Sequence, residues 1–468
     1  MNAELCWVPA TELAALIRKR KVSPREVVDA VLDRIAALNP SLNAYVTLTA
    51  ERARNEAKAA ERALGKKGVA LGPLHGVPFS VKDLVITKGV RTTFGTPLYR
   101  DHVPTEDAPM VERLKAAGGI MLGKTNTPTF GWIGATHNLL FGITRNPWNR
   151  DRTPGGSSGG ASAAVAAGLG PLAVGTDGGG SIRIPASCTG IFGFKPSYGR
   201  IPIYPVSGAW SLSHIGPMTR TVADAALMLQ ICAGPDERDP YSLPGARVDY
   251  GKALKASMKG WRVAYAEDLG FADAVDPEVR EACAAAARAF SELGCRVERV
   301  RPGWPSPKEA WWEIFGGGIA TRMAGYLDQR AQIDPGLYAI IEAMLRNPPT
   351  RYVQAWFDRL GWWQHPRVFF EKYDLLLTPT IACPPFEVGL DNPAAIAGKP
   401  VEPYAWIPFT YPFNLTGQPA SSVPCGFTRD GLPIGLQIVG RRHADLSVLT
   451  ASAAFERARP WAAHRPPA

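Results

Sequence analysis

The stretch GGSSGGASAAVAAGLGPLAVGTDGGGSIRIPASCTGIFGFKPSYGR, residues 155–200, decides the reading of this chain. It sets two serines, Ser157 and Ser181, in glycine-flanked turns 24 residues apart. Glycine lets the backbone turn tightly and lets a second group come close to each hydroxyl. Between the serines, residues 161–168 carry only small side chains and predict a closely packed helix, while 171–176 predict a short buried strand. The run Gly178, Gly179, Gly180, Ser181 offers consecutive N–H groups with no Cβ in front of the glycines, which is the material of an anion-binding nest or oxyanion hole. What the stretch itself lacks is a base.

Outward from this segment, helix and strand patterns keep alternating, which predicts an α/β protein. Upstream, Ser23-Pro24-Arg25-Glu26 gives an N-cap, a first-turn proline and a capping glutamate, and the first 65 residues read as helical. GPLHGVPFSVKDLV reads as extended, APMVERLKAAG as helix and GIMLGKT as strand. Downstream, 222–233 and 277–293 predict helices, 261–265 and 296–300 strands, and 307–373 an aromatic-rich helical region. Strands at 375–377, 421–424 and 435–439 precede a closing helix at about 444–457. No linker or repeat divides the chain, so one large domain over 1–468 is expected, with its compact core at about 70–235 and an aromatic-rich pocket region at about 305–373.

Composition excludes several classes. With 46 % apolar and 20 % charged residues the chain can bury a large core. The net charge of +10 is spread out, and its densest run, Arg18 to Lys21, fits a helix C-terminal end better than a nucleic-acid or lipid patch. Seven scattered cysteines without a C-x-x-C pair suggest neither a disulfide framework nor a metal site, and with no secretory signal visible the expected setting is cytoplasmic. Residues 153–176 are uncharged, but Gly, Ser, Ala and two prolines make them packed soluble structure rather than a membrane span.

Two other motifs compete for the active site. Residues 118–125, GGIMLGKT, satisfy the G-x-x-x-x-G-K-T phosphate-loop pattern, but a strand lies between the glycines and no helix follows, so nucleotide binding is disfavoured. Residues 155–159 match the G-x-S-x-G nucleophile elbow, yet a polar, proline-broken loop runs into Ser157, and only His443 or His464 could nominally complete a triad. With no histidine near either serine, the best base is Lys82, set among Val77, Phe79 and Val81. In a strand Lys82 and Asp83 point to opposite faces, so the carboxylate need not lock the amine. A buried, unpaired lysine has a lowered pKa, and a neutral amine can accept a proton. Asp177 and Arg183 flank the nucleophile and are expected to pair and brace the glycine loop rather than touch substrate.

The chain, and residues 155–200 above all, resembles the amidase signature family. GKTNTP, FGITRNPWN, SHIGPMTRTVADAA, LTGQPASSVPCGF and GLPIGLQIVG match as well, so the resemblance spans nearly the whole length. It implies a central mixed β-sheet covered by helices on both faces and a Ser-cisSer-Lys triad. In that triad Ser181 is the acyl nucleophile, Ser157 the bridging serine after a cis peptide, and Lys82 the base, with Gly178 to Ser181 as oxyanion hole. Ser158 is then structural. The implied activity is hydrolysis of a carboxylic amide, extending to anilide, carbamate or ester, by a stand-alone monomer or homodimer without cofactor or metal. Aromatics at Trp132, Trp311, Trp312, Phe315, Tyr404 and Phe409 suggest an apolar acyl or aryl pocket. The alternative within the family, a glutaminase component of a tRNA-dependent amidotransferase, typically carries a polar glutamine-binding stretch where this chain has the aromatic run 402–413.

Overall fold

Alternating apolar runs and small-residue helices build one continuous sheet in the computed structural model, which describes residues 3–66, 68–244 and 248–467. In chain order its strands are β1 (Tyr45–Leu48), β2 (Pro78–Lys82), β3 (Ile120–Thr125), β4 (Leu172–Asp177), β5 (Phe192–Lys195), β6 (His214–Thr219), β7 (Arg262–Tyr265), β8 (Arg296–Arg299), β9 (Leu375–Pro379), β10 (Ala420–Phe427) and β11 (Pro433–Gly440). Their spatial order is β1-β3-β2-β4-β6-β5-β10-β11-β9-β7-β8. The sheet is mixed: β3, β2 and β4 run parallel, as do β9, β7 and β8, while the strands between pair antiparallel.

Side-chain alternation along β4 shows how both faces are covered. Leu172 and Val174 enter the core that holds Val222 and Leu229 of the helix Val222–Cys232, whereas Ala173 turns to Ala161 and Val165 of the helix Gly159–Ala166. The latter helix packs close because its residues are small. A Cβ on Gly160 would stand 2.3 Å from the Asn126 nitrogen and 2.6 Å from the Ala44 oxygen. Among the described residues no helix is long and apolar enough to cross a membrane.

The structure corrects the reading of the first 65 residues. Between the helices Pro24–Leu42 and Ala50–Leu64 lies β1, paired antiparallel with β3. The capping box is formed, with Ser23 Oγ accepting from the Glu26 amide at 3.1 Å and Glu26 Oε2 from the Ser23 amide at 2.7 Å. The helix stops at Asn43, in the left-handed region (φ 51°), and the Asn39 side chain takes the amides of Ala44 and Tyr45. A four-residue strand is too short for its period to show in sequence. β5 and β6 also lay outside the expected elements; β6 carries Gly216 and Pro217, which mask its extended character.

The phosphate-loop match is a buried strand. Lys124 donates to the Val85 carbonyl and, at 3.1 Å each, to the Thr87 and Thr92 hydroxyls, so its ammonium is consumed inside the protein. Gly123 serves packing, since a Cβ there would lie 2.2 Å from the Thr47 carbonyl oxygen.

Because backbone and not a flexible side chain blocks it, Gly160→Ala is expected to destabilise the protein by about 1–3 kcal/mol or more. Gly361→Ala, in a helix with nothing within 4 Å of the added carbon, is expected to be neutral or stabilising by up to about 1 kcal/mol. Thermal melts of the two variants against wild type check the contrast.

Candidate active site

The last residue of β2 carries the base candidate. Phe79 and Val81 face one core, so Lys82 faces the opposite side of the sheet, toward the two serine turns. It is fully buried. Nζ lies 2.7 Å from Ser157 Oγ, 2.9 Å from Ser158 Oγ and 2.9 Å from Thr176 Oγ1. Asp83 turns the other way, where its carboxylate accepts from the Thr93 amide at 3.0 Å and from the Thr93 hydroxyl. Burial therefore acts on an amine with no carboxylate in contact, and it holds Lys82 well below the usual lysine range; the more distant Asp177 opposes this only in part.

A loop, not a strand, runs into Ser157, so the nucleophile-elbow reading fails on its own requirement. The Gly156–Ser157 peptide is cis. The turn is wedged tightly: a Cβ on Gly156 would sit 2.3 Å from the Ala135 oxygen, and Gly155 has φ 74°. Ser158 links the parts. Its amide donates to the Ser181 carbonyl at 3.3 Å, its hydroxyl donates to the Thr176 carbonyl at 3.2 Å, and the same oxygen accepts from the Thr176 amide at 3.3 Å.

The glycine loop after β4 is fastened from outside. Arg183 grips Asp177 through two bonds, Nη2 to Oδ1 at 2.9 Å and Nε to Oδ2 at 3.0 Å, and both side chains are fully buried. Arg183 also donates to the Thr410 carbonyl, Gln437 Oε1 and Asn414 Oδ1. Burial alone would raise the Asp177 carboxyl; the guanidinium outweighs it and holds the group well below the usual range. The pair therefore braces the loop, as its position in the sequence suggests. Three successive carbonyls are tethered: Asp177 O by Asn414 Nδ2 at 2.9 Å, Gly178 O by Trp311 Nε1 at 3.1 Å, and Gly179 O by Thr410 Oγ1 at 2.7 Å. A peptide N–H points opposite to the carbonyl of its own plane, so these tethers set where the amides of Gly178 to Gly180 aim. One departs from expectation: the Gly180 amide donates to Asp177 Oδ1 at 2.8 Å, which leaves Gly178, Gly179 and Ser181 as the loop's donors.

Ser157, Thr176, Gly178 and Ser181 open onto a single cavity. Its wall is mostly apolar, with Leu84, Phe94, Phe130, Ile203, Phe315 and Ile319. Of the aromatics singled out from the sequence, only Phe315 lines it. Trp311 stacks behind on Phe315 (centroids 5.1 Å) and on Tyr411 (4.9 Å), and supports Gly178. Trp312 packs on Tyr404 at 4.9 Å. Trp132, Tyr404 and Phe409 are buried in the core, a correction to their expected place against substrate. They fill the core instead, as most aromatic residues of a chain this size do. Sequence reasoning missed Phe94 and Phe130, whose rings stack at 5.6 Å. Both have positive φ, at 54° and 48°, a conformation that side-chain type does not announce.

Comparison with known proteins places the chain. The sequence profile of the Amidase family matches residues 26–449. The chain is 43 % identical to the acylamidase of Rhodococcus erythropolis, covering 99 % of this chain and 98 % of that protein. It is 39 % identical to a glutamyl-tRNA(Gln) amidotransferase component of Moorella thermoacetica over 99 % of each. It also superposes, with a TM-score of 0.92 and 37 % identity, on the crystal structure of a bacterial aryl acylamidase of the amidase signature family, covering 98 % of this chain and 99 % of that one. The chain belongs to the amidase signature family of hydrolases.

Arg183→Met leaves the Asp177 carboxylate buried and alone, and is expected to cost about 3–5 kcal/mol of stability. Because the Asp177 carboxyl is depressed in the folded state, its contribution is full above the ordinary carboxylate range and is lost as pH falls below it. Denaturant unfolding of wild type and variant between neutral and acid pH checks both statements: the gap between them narrows on acidification.

Proposed function

We propose that the protein hydrolyses carboxylic amides with a hydrophobic or aryl body through an acyl-enzyme on Ser181, with Ser157 and Lys82 as proton relay. The observation that carries this is the Lys82 amine, buried and held by three hydroxyls while the neighbouring Asp83 faces away. A neutral amine has two N–H groups and one lone pair. The Ser158 hydrogen goes to the Thr176 carbonyl, so the Ser158 oxygen takes one amine N–H. Thr176 Oγ1 takes the other, and the lone pair remains for the Ser157 hydroxyl hydrogen.

The step follows. Lys82 takes the proton of Ser157, Ser157 takes that of Ser181, and Ser181 Oγ bonds to the substrate carbonyl carbon. The oxyanion is held by the free amides of the glycine loop, each such donor being worth about 3 kcal/mol of transition-state stabilisation. The C–N bond breaks as the relayed proton passes to the leaving nitrogen. Water then attacks the ester by the same relay, releasing the acid and restoring Ser181.

The apolar cavity wall supports a hydrophobic or aryl substrate. The segment 402–413 packs Tyr404, Trp406, Phe409 and Phe413 into the core, which supports an amide hydrolase over a glutamine-specific glutaminase. A clear preference for glutamine among aryl amides, aryl carbamates and short polar amides contradicts that part of the reading.

Intact mass after treatment with a fluorophosphonate is expected to show one adduct on wild type and none on Ser181→Ala; labelling of the variant at another residue removes the nucleophile assignment. The pH profile has a defined sign. Below the lowered Lys82 pKa the amine is an ammonium and cannot accept a proton, so kcat/KM is expected to rise with pH and level off well before the usual lysine value. Lys82→Met is expected to lose about 100-fold or more in kcat/KM.

A further inference from the structure

Arg322 stands at the mouth of the cavity, on its border with the neighbouring groove that runs past Gly317, Met344 and Tyr352. Its guanidinium lies over the Phe130 ring, 5.3 Å from the centroid, and Nη2 donates to the Val206 carbonyl at 3.3 Å. The ring contact and this bond hold the guanidinium, and the bond uses one of its five N–H groups. No carboxylate of the described residues pairs with it. The acid nearest in its own helix, Glu313, is taken by Arg351 at 2.8 Å and by Asn347. The other ionised residue of the cavity wall, Asp177, is neutralised by Arg183. A cation without a counter-ion thus crowns an apolar cleft.

We propose that Arg322 is a specificity-determining residue that selects amides whose far end carries a carboxylate. This rests on the reading of the cavity as an amide-hydrolysing site. The spacing suits it: a Cβ on Gly131 would stand 2.9 Å from Ser157 Oγ, the next residue is Phe130, and the guanidinium covers the Phe130 ring. Arg322 and the two serines thus line one cavity, so a single substrate can reach both. The apolar wall of Leu84, Phe94 and Ile319 receives the part between, and the free edge of the guanidinium presents a fork to both carboxylate oxygens.

Two matched pairs of substrates test this and tell on which side of the scissile bond the carboxylate lies. For the acyl side, the mono-4-nitroanilide of adipic acid is compared with hexanoyl-4-nitroanilide. For the amine side, 4-acetamidobenzoate is compared with 4-methylacetanilide. In wild type at low ionic strength, the anionic member of one pair is expected to be favoured about tenfold or more in kcat/KM, mainly through KM. Arg322→Gln is expected to bring that pair close to parity while changing the neutral member less than about twofold, and Arg322→Lys to keep part of the preference. Added salt is expected to shrink the preference, since the mouth is open to solvent. The proposal is overturned if neither pair favours its anion, or if the preference survives in Arg322→Gln. Neutral amides turned over without an anion preference overturn the role of Arg322 alone. No turnover together with no Ser181 labelling by fluorophosphonate overturns the amide-hydrolase reading as well.

Discussion

An amine sealed from water and given only hydroxyl neighbours is the constraint on which the rest of this structure depends. Burying a lysine is unfavourable, and among the described residues the protein does so three times, at Lys82, Lys124 and Lys195. The partners differ. Lys195 faces the carbonyls of Gln418 and Pro196, and Lys124 faces the Val85 carbonyl with two threonine hydroxyls. Burial pushes all three amines down, Lys124 to about 8 and Lys82 and Lys195 well below the usual lysine range. Lys82 has three hydroxyls and no carbonyl among its contacts, and a hydroxyl can return a hydrogen to a lone pair. In the proposed relay it is this hydroxyl partnership, and not burial, that suits Lys82 to take a proton, since all three residues are equally hidden.

The same local arrangement ties chemistry to fold. β2 delivers Lys82 to one face and Asp83 to the other, so a shift of one residue in register would exchange amine for carboxylate at the serine turns. Ser158 binds both serine turns and the end of β4 into one unit. On the far side, Arg183, Asn414, Thr410 and Trp311 hold the glycine loop by its carboxylate and carbonyls. The amides proposed to stabilise an oxyanion are thus placed by groups behind the loop, which is how a glycine-rich segment is kept rigid.

Much of this was legible in the sequence, and the reasons are particular. Ser157 and Ser181 stand in a long motif whose glycines and small residues leave few other uses, Lys82 follows as the base that motif lacks, and the opposite facing of Lys82 and Asp83 follows from strand geometry alone. The Asp177–Arg183 pair was legible because buried charges persist as pairs. The pocket was not. Trp132, Tyr404 and Phe409 look the same in sequence whether they line a cavity or fill a core, and burial decided for the core. Phe94 and Phe130 reach the cavity through positive-φ backbone, and β1 is too short to show a period. The loss of the Gly180 amide to Asp177 depends on three-dimensional closure that no local pattern encodes.

The most direct measurement is the protonation state of the Lys82 amine itself. In protein labelled with 15N at the lysine side chains, the Nζ resonance absent from Lys82→Met can be assigned to Lys82 and followed with pH. The predicted result is a neutral amine at mildly alkaline pH, titrating well below the ordinary lysine range. An Nζ that stays an ammonium up to the ordinary lysine range would contradict it.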